Sequence, residues 1–326
     1  MPSASILGCS GYTGLETLDR LLSHPELAVV ALGSDSLAGN GASALDVRLT
    51  PTNGSLPPVV TNAEAAAAGA DVTFWCLGHE ESATLAPPAE GVVVDLSGAH
   101  RLYDPALYAH WYGFEHPGGL DGWEYALPEL HAAEGRLIAN PGCYATAALL
   151  ALAPLADAIE PDGVVVDGKS GVSGAGRSLK PTSHAGFVLE NVSAYKVGAH
   201  QHEPEIEQLL GFPVALATHL LPIRRGLLVT CYAQATENDL RARLEEAYAG
   251  TVVRVLPEGA TPELARVQHT DRAEVALFAD QATGRAIVVC AIDNLGKGAA
   301  GQAVQNANVA LGLDETLGLR LAGVLV

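Results

Sequence analysis

The chain has 326 residues, 48% of them hydrophobic, which is enough apolar material for a sizeable core and suggests two domains. Asp and Glu outnumber Lys and Arg by 37 to 18, and the resulting net charge of −19 argues against a nucleic-acid partner. The five cysteines form no CxxC pair, so we expect no metal site. The N-terminus does not resemble a leader, and no apolar run approaches about 18 residues. We therefore expect a cytoplasmic protein with no membrane partner.

The N-terminal half alternates strand and helix patterns. A short apolar strand at 4–7 is followed by the glycine-rich turn 8–14, and leucines then recur at helical spacing over 15–22. Continuous apolar runs are typical of strands that are buried on both faces. Further runs of this kind lie at 28–32, 72–77 and 92–96. The pattern predicts an α/β fold with a Rossmann-type, doubly wound parallel sheet.

The first turn has the spacing G-x-x-G-x-x-G and directly precedes a helix. Backbone N–H groups and the positive helix end at such a turn can hold a pyrophosphate, so we interpret it as a dinucleotide site rather than only a tight turn. The expected contacts are Gly8, Ser10, Gly11, Tyr12, Thr13, Gly14 and, at the end of the second strand, Ser34. Asp35 lies roughly 20 residues after the turn, the spacing of an acidic residue that binds a free ribose 2′-hydroxyl, which favours NAD(H).

The turn Asn140-Pro141-Gly142-Cys143 delivers a cysteine to the start of the apolar run 147–152. If this run is a helix, Cys143 lies at its N-terminus, where unpaired N–H groups and the helix dipole favour a thiolate. This position suits a nucleophile. The segment alone also allows a buried, inert thiol.

The second half has long strand patterns and few helices, which predicts an α+β domain with a mixed, largely antiparallel sheet. The predicted strands are 163–168, 214–221, 226–235, 252–256 and 285–292, and the helices are 203–210 and 239–249. We expect a dinucleotide-binding domain over 1–142, completed by 298–326, and a catalytic and oligomerisation domain over 143–297.

Four polar clusters interrupt this half. The glycine- and serine-rich loop 170–177 ends in Arg177 and suits an anion. Two imidazoles, His200 and His202, are more typical of acid–base chemistry than of zinc, because no further ligand has a recognised spacing. Arg225 belongs to a pair of arginines that can bind a carboxylate or phosphate. The turn 293–301 either approaches a nicotinamide or caps the helix that follows.

Taken together, these motifs resemble the N-acetyl-gamma-glutamyl-phosphate reductases, which belong to a broader group that includes aspartate-semialdehyde dehydrogenase. The resemblance runs nearly the whole length of the chain, in the family's order. The motifs that carry it are GYTG, DLS with Arg101, YALPEL, NPGCYATA, SGVSGAGR, H-x-H-x-P-E-I, HLLPIRRG and DNLGKGAAGQAVQN.

The resemblance implies reduction of an acyl phosphate by NADP(H), with Cys143 forming a thioester and His200 or His202 acting as acid and base; we favour His202. It implies a homo-oligomer, either a dimer or a tetramer. The expected substrate-binding residues are Arg101, Asn140, Arg177 and Arg225, and Ser173, Gly174 and Asn294 are expected to bind the cofactor.

The chain departs from the family pattern at Gln201, which stands where an arginine is usual, and near Ser34, where a basic residue is missing. With Asp35 alongside, NAD(H) stays open as the cofactor. The segment 37–53 is shorter than in the longer family members. Three other functions stay open: a carrier-linked aminoadipyl-phosphate reductase of lysine biosynthesis, a cysteine–histidine hydrolase or acyltransferase, and a non-catalytic nucleotide sensor.

Overall fold

A computed structural model of the protein describes residues 1–49, 56–178, 181, 184–280 and 282–323. The chain forms two compact units. Met1–Asn140 and Ala299–Leu319 make up the first, and Pro141–Gly298 with the segment that begins at Arg320 makes up the second. The Arg320 N–H donates to Asp271 Oδ2 at 2.8 Å, which holds that segment to the second unit rather than to the first.

The first unit contains a seven-stranded sheet in which every strand pairing is parallel. The strand order is β3-β2-β1-β4-β5-β7-β6. The strands are β1 (Ser3–Leu7), β2 (Ala28–Gly33), β3 (Val59–Val60), β4 (Val72–Trp75), β5 (Val92–Asp95), β6 (Trp123–Tyr125) and β7 (Leu137–Ala139). The helices are α1 (Tyr12–Leu21), α2 (Asn62–Ala66), α3 (His79–Thr84), α4 (Leu107–Trp111) and α10 (Gly301–Ala310).

The continuous apolar runs explain this sheet, because successive residues of one strand enter cores on opposite faces. Ile6 and Phe74 lie in the larger core, to which α10 contributes Val304. Leu7 and Trp75 lie in the smaller core on the other face. The predicted Rossmann-type sheet is therefore confirmed.

The second unit contains a mixed seven-stranded sheet of order β12-β13-β14-β11-β8-β10-β9, which confirms the predicted α+β fold. Its strands are β8 (Val165–Gly171), β9 (Ser193–Tyr195), β10 (Ala215–Leu221), β11 (Leu227–Gln234), β12 (Val253–Val255), β13 (Ala273–Asp280) and β14 (Arg285–Ile292). Its helices are α5 (Cys143–Leu152), α6 (Ala185–Val188), α7 (Glu203–Leu210), α8 (Leu240–Ala247) and α9 (Leu264–Val267). Sequence patterns missed β9 and β13.

Helix α5 packs across β11 and β14, and nine of its ten residues are buried. A helix that is apolar on all sides belongs inside the protein, and this one covers one face of the mixed sheet. Tyr144, in its first turn, lies against Gly168 of β8, where a Cβ atom would stand 2.5 Å from the ring carbon Cε1. A glycine in the strand therefore admits the tyrosine ring.

Every helix in the described part of the chain is too short or too polar to span a bilayer.

We predict that Gly168→Ala lowers the free energy of unfolding by about 1–3 kcal/mol, because the new methyl group overpacks the contact with Tyr144. The measurement is the denaturant midpoint followed by far-UV circular dichroism. Gly186→Ala is the matched control, since a Cβ atom there meets its nearest neighbour at an ordinary 3.6 Å. Equal midpoints for the two variants would contradict the close packing described for Gly168.

Candidate active site

Cys143 is the first residue of α5, and Gly142 is the N-cap. Its exposure distinguishes it from most of the other cysteines: Cys143 is half-buried, whereas Cys9, Cys231 and Cys290 are buried. Burial raises the pKa of Cys9 to about 11 and that of Cys76 to about 12, and it raises the pKa values of Cys231 and Cys290 as well. Because the thiolate is the reactive form, we expect these four thiols to react slowly at neutral pH.

His202 lies directly against the first turn of α5. Its Nδ1 accepts a hydrogen bond from the Tyr144 N–H at 3.3 Å, and a Cβ atom on Gly142 would collide with its Nε2. The glycine before Cys143 therefore lets the imidazole approach the backbone at the helix N-terminus. The structure thus brings His202 to the helix end that carries Cys143.

His200 lies behind His202, with 4.6 Å between the two ring centroids. Its Nδ1 accepts the His202 N–H at 3.1 Å. Burial, and after it the neighbouring His202, lowers the pKa of His200 to about 2. His200 therefore stays neutral at physiological pH and serves as a hydrogen-bond partner for the backbone of His202.

Glu205, which no local sequence pattern indicates, is fully buried. Its Oε2 accepts the Gly142 N–H at 2.9 Å, and its Oε1 lies 3.8 Å from His202 Nε2. The glutamate belongs to the H-x-H-x-P-E pattern, but a lone acidic residue in a short helix is usually solvated. Only the packing of α7 against α5 shows that its carboxylate faces inward.

Two tyrosines border the same region. The Tyr195 hydroxyl donates to the Tyr144 hydroxyl at 3.1 Å, and the Tyr144 hydroxyl donates to the His219 carbonyl at 3.3 Å. Burial raises the pKa of Tyr195 to about 12 and raises that of Tyr144 further. Both phenols stay neutral and link α5 to β9 and β10.

The predicted anion-binding residues of the second unit occupy different environments. Arg225 is buried, and its Nε donates to Asp293 Oδ2 at 2.6 Å. Arg177 is exposed. Since Asp293 is itself fully buried, the orientation of the Arg225 guanidinium is fixed from inside the protein.

Asn294 connects two loops of the second unit. Its Oδ1 accepts the Gly226 N–H at 2.7 Å, and its Nδ2 donates to Ser173 Oγ at 2.9 Å. At Gly174, a Cβ atom would stand 2.9 Å from Ser170 Oγ, so a side chain there would crowd the loop. The predicted residues Ser173, Gly174 and Asn294 therefore lie together.

In the first unit, Arg101 and Asn140 lie at the carboxyl ends of β5 and β7. Arg101 is buried, and it donates from Nε to the Asn140 carbonyl and from Nη2 to the Leu96 carbonyl, both at 2.8 Å. The Asn140 side chain accepts from Asn306 Nδ2 at 3.1 Å. These contacts make the two residues part of the framework at this edge of the sheet.

The glycine turn fits a dinucleotide diphosphate. Gly8 has φ +70°, and a Cβ atom on it would collide with the Cys76 carbonyl; one on Gly14 would collide with the Gly8 carbonyl. Helix α1 begins at Tyr12, next to Thr13, and its N-cap Gly11 offers no capping side chain. Ser34 Oγ donates to Ser10 Oγ at 3.0 Å. Close backbone packing and an N-terminus without a side-chain cap suit a bound diphosphate.

Two family models match successive parts of the chain. The family described as "Semialdehyde dehydrogenase, NAD binding domain" matches residues 3–137, and "Semialdehyde dehydrogenase, dimerisation domain" matches 143–294. The N-acetyl-gamma-glutamyl-phosphate reductase of Salinispora tropica is 46% identical over 98% of each chain. Those of Acidothermus cellulolyticus and Geobacter sp. (strain M21) are 44% and 42% identical, over 98% and 99% of each chain.

Solved structures share the fold at low sequence identity. Aspartate semialdehyde dehydrogenase II of Vibrio cholerae, complexed with ASA, has a TM-score of 0.74 and 19% identity, over 96% of this chain and 98% of that one. A probable aspartate-semialdehyde dehydrogenase of Pseudomonas aeruginosa has a TM-score of 0.72 and 22% identity, over 95% of this chain and 99% of that one.

We predict that iodoacetamide at about pH 7.5 modifies the native protein at Cys143 alone, because burial holds the other four thiols protonated. Mass spectrometry of the digested protein measures the labelling at each cysteine. Cys143→Ser should remove the label, and unfolding in denaturant should expose all five thiols. Rapid labelling of Cys76 in the native protein would contradict the prediction.

Proposed function

Because this chain belongs to the family of N-acetyl-gamma-glutamyl-phosphate reductases, we propose that it reduces N-acetyl-gamma-glutamyl phosphate to N-acetylglutamate 5-semialdehyde and phosphate, a step of arginine biosynthesis. The observation that carries the proposal is the placement of Cys143 at the N-terminus of α5, with His202 and Glu205 packed against the same turn. The enzyme acts in the cytoplasm.

Cys143 is the nucleophile. Its thiolate attacks the acyl carbonyl carbon, the carbon–oxygen bond to phosphate breaks, and a thioester forms as phosphate leaves. NADP(H), when bound, supplies the hydride that brings the thioester to the aldehyde level. Breakage of the carbon–sulfur bond then releases the semialdehyde and returns Cys143 as a thiolate. The N-terminus of α5 favours the anionic sulfur before attack and after release.

His202 is the acid and base of the reaction. It accepts the proton of the Cys143 thiol and, as an imidazolium, stabilises the negative charge that develops on the carbonyl oxygen. The contact of His202 with the first turn of α5 supports this choice, because His200 lies behind His202. Glu205 is a positioning residue: its carboxylate holds the Gly142 N–H and places a negative charge beside the imidazole.

The substrate carries a phosphate and a carboxylate, so an acidic protein needs local cations to bind it. Arg177 and Arg225 fill this role, and Arg101 and Asn140 complete the substrate-binding set. The ion pair with Asp293 supports Arg225, because it fixes the direction of the guanidinium before substrate arrives. A fixed, planar group can bind an oxyanion through two parallel hydrogen bonds.

The cofactor is NADP(H). Gly8, Gly11 and Gly14 admit the diphosphate, and Ser10, Tyr12, Thr13 and Ser34 surround it. Ser173, Gly174 and Asn294 bind its nicotinamide end. The fit of the glycine turn to a diphosphate favours redox chemistry over a cysteine–histidine hydrolase, which has no need for such a turn.

The enzyme forms a homo-oligomer, dimer or tetramer, through the sheet face opposite α5. On this face most of the alternate residues of β11 and β14 are half-buried, whereas those facing α5 are buried. The apolar residues of the outer face include Leu228, Tyr232, Ile287 and Val289. The strands that carry them lie within the range matched by the dimerisation domain, and this supports a second copy of the chain as the partner.

The reverse reaction tests the function directly. With N-acetylglutamate semialdehyde, phosphate and NADP⁺, we expect a phosphate-dependent rise in NADPH absorbance, and Cys143→Ala should lower kcat by roughly three or more orders of magnitude. NAD⁺ in place of NADP⁺ measures the cofactor preference. Activity with an aminoadipate semialdehyde instead would transfer the assignment to the lysine-pathway substrate.

Histidine variants in the same assay separate the two candidates. We expect His202→Asn to lower kcat by roughly 10²–10⁴-fold, as for loss of an acid–base group, and His200→Gln to keep kcat within about tenfold of wild type. Circular dichroism checks that both variants are folded. The opposite ranking would assign the proton transfers to His200.

The oligomer is tested by sedimentation velocity. We expect Val289→Asp, at the centre of the outer sheet face, to shift the protein towards the monomer, because it places a charge in an apolar interface. Val30→Asp is the matched control, since Val30 is exposed on the first unit. If Val289→Asp assembles as the wild type does, the interface lies elsewhere.

A further inference from the structure

Asn62, which sequence analysis did not single out, joins two segments at the carboxyl ends of β1 and β2. Its Oδ1 accepts the Gly8 N–H at 2.9 Å. Its own backbone N–H donates to Asp35 Oδ1 at 2.8 Å, and its Nδ2 donates to Asp35 Oδ2 at 3.1 Å. One side chain therefore connects the glycine turn to the acidic residue that follows β2.

These contacts fix the orientation of the Asn62 amide. The Gly8 N–H group can only donate and the Asp35 carboxylate can only accept, so a flipped amide would lose both side-chain hydrogen bonds. The second Nδ2 hydrogen lies towards Glu81, with 3.5 Å between Nδ2 and Oε1. Gly33 makes room for this arrangement, because a Cβ atom there would stand 2.9 Å from Asn62 Oδ1.

Asp35 has the sequence position of a residue that binds a ribose 2′-hydroxyl, but each of its oxygens accepts a hydrogen bond from Asn62. The carboxylate is thus directed towards the start of α2. Asp35 is also exposed, so solvent and salt screen its charge. Its hydrogen bonds, rather than its charge, are its strongest connection to the cofactor turn.

We propose that Asp35 is a positioning residue: through Asn62 it holds the Gly8 N–H, and it supports dinucleotide binding without selecting between the 2′-hydroxyl and the 2′-phosphate. The inference rests on the proposed function in that the ligand is a nicotinamide dinucleotide. It explains how an acidic residue at this position is compatible with NADP(H). It also makes Asn62 a second positioning residue for the same turn.

Isothermal titration of the purified protein with NADP⁺ and with NAD⁺ tests the proposal without reference to catalysis. Asp35→Asn removes one of the two acceptors that hold Asn62. We expect both dissociation constants to rise by a similar factor, roughly threefold to thirtyfold, as for the loss of one hydrogen bond that supports the turn. The ratio of the two constants should stay within about twofold of the wild-type ratio, because the common diphosphate turn is what changes.

A double-mutant cycle tests whether Asp35 acts through Asn62. Asn62→Ala should weaken binding of both dinucleotides at least as much as Asp35→Asn. The double variant should bind no more weakly than Asn62→Ala alone, since both substitutions break one connection. Glu81→Gln is the matched control: it neutralises the other carboxylate near the Nδ2 of Asn62 and should change both constants by less than about twofold. Thermal melting checks the folding of each variant.

Four results would overturn the inference. If Asp35→Asn tightens NADP⁺ binding about tenfold or more while NAD⁺ binding stays the same or weakens, the carboxylate faces the 2′ position. If Asp35→Asn leaves both constants unchanged, or if the double variant shows additive losses, Asp35 does not act through Asn62. A folded wild type that binds neither dinucleotide would overturn the proposed function, and the inference with it.

Discussion

The backbone N–H groups at the N-terminus of α5 need hydrogen-bond acceptors from inside the protein, and much of the second unit is arranged around this requirement. Because α5 is apolar on every side, it is buried almost completely, and the N–H groups at its start need acceptors from the protein. Glu205 accepts from Gly142, and His202 accepts from Tyr144. The contacts that complete a buried helix end are thus the contacts that bring a carboxylate and an imidazole to the turn of Cys143.

The mixed sheet packs against this end of α5 and supports it. Gly168 leaves room for the Tyr144 ring, and the Tyr144 hydroxyl donates a hydrogen bond to a backbone carbonyl of β10. Asn294 ties the loop that contains Ser173 to the start of β11. A polar group held by two such hydrogen bonds has one orientation, which is what a site that orients its ligand requires.

Features that depend on local sequence were predictable. The four central strands of the parallel sheet, β2, β1, β4 and β5, appear as continuous apolar runs, whereas the short strands β3, β6 and β7 were not predicted. The turn 140–143 marks the start of α5 correctly. Features that depend on distant residues were not. Glu205 looks like an ordinary helix residue until α7 is packed on α5, and the spacing of Asp35 gave no indication of its contact with Asn62, 27 residues away.

Strand β13 was missed for a related reason. Its first four residues are all buried, including Glu274, so they show neither the alternation of a half-exposed strand nor the continuous apolar run of a central one. Arg266 contacts the Glu274 carboxylate at 3.0 Å from Nε. This ion pair between α9 and β13 compensates for the burial of the Glu274 carboxylate. A local sequence pattern cannot indicate it, because the two residues belong to different elements.

Part of the protein's large negative charge is internal and shapes its turns. Asp95, Glu205 and Asp293 are all fully buried, and each accepts backbone N–H groups. Asp95 accepts from Ser97, in the segment that leads to Arg101, and Asp293 accepts from Leu295 and binds Arg225. A buried carboxylate is unfavourable unless such donors surround it, so each one imposes a defined backbone shape on its neighbours. Each of the three lies beside a residue proposed to bind substrate or cofactor or to take part in the reaction. The unfavourable burial of a carboxylate therefore occurs where a fixed backbone is most needed.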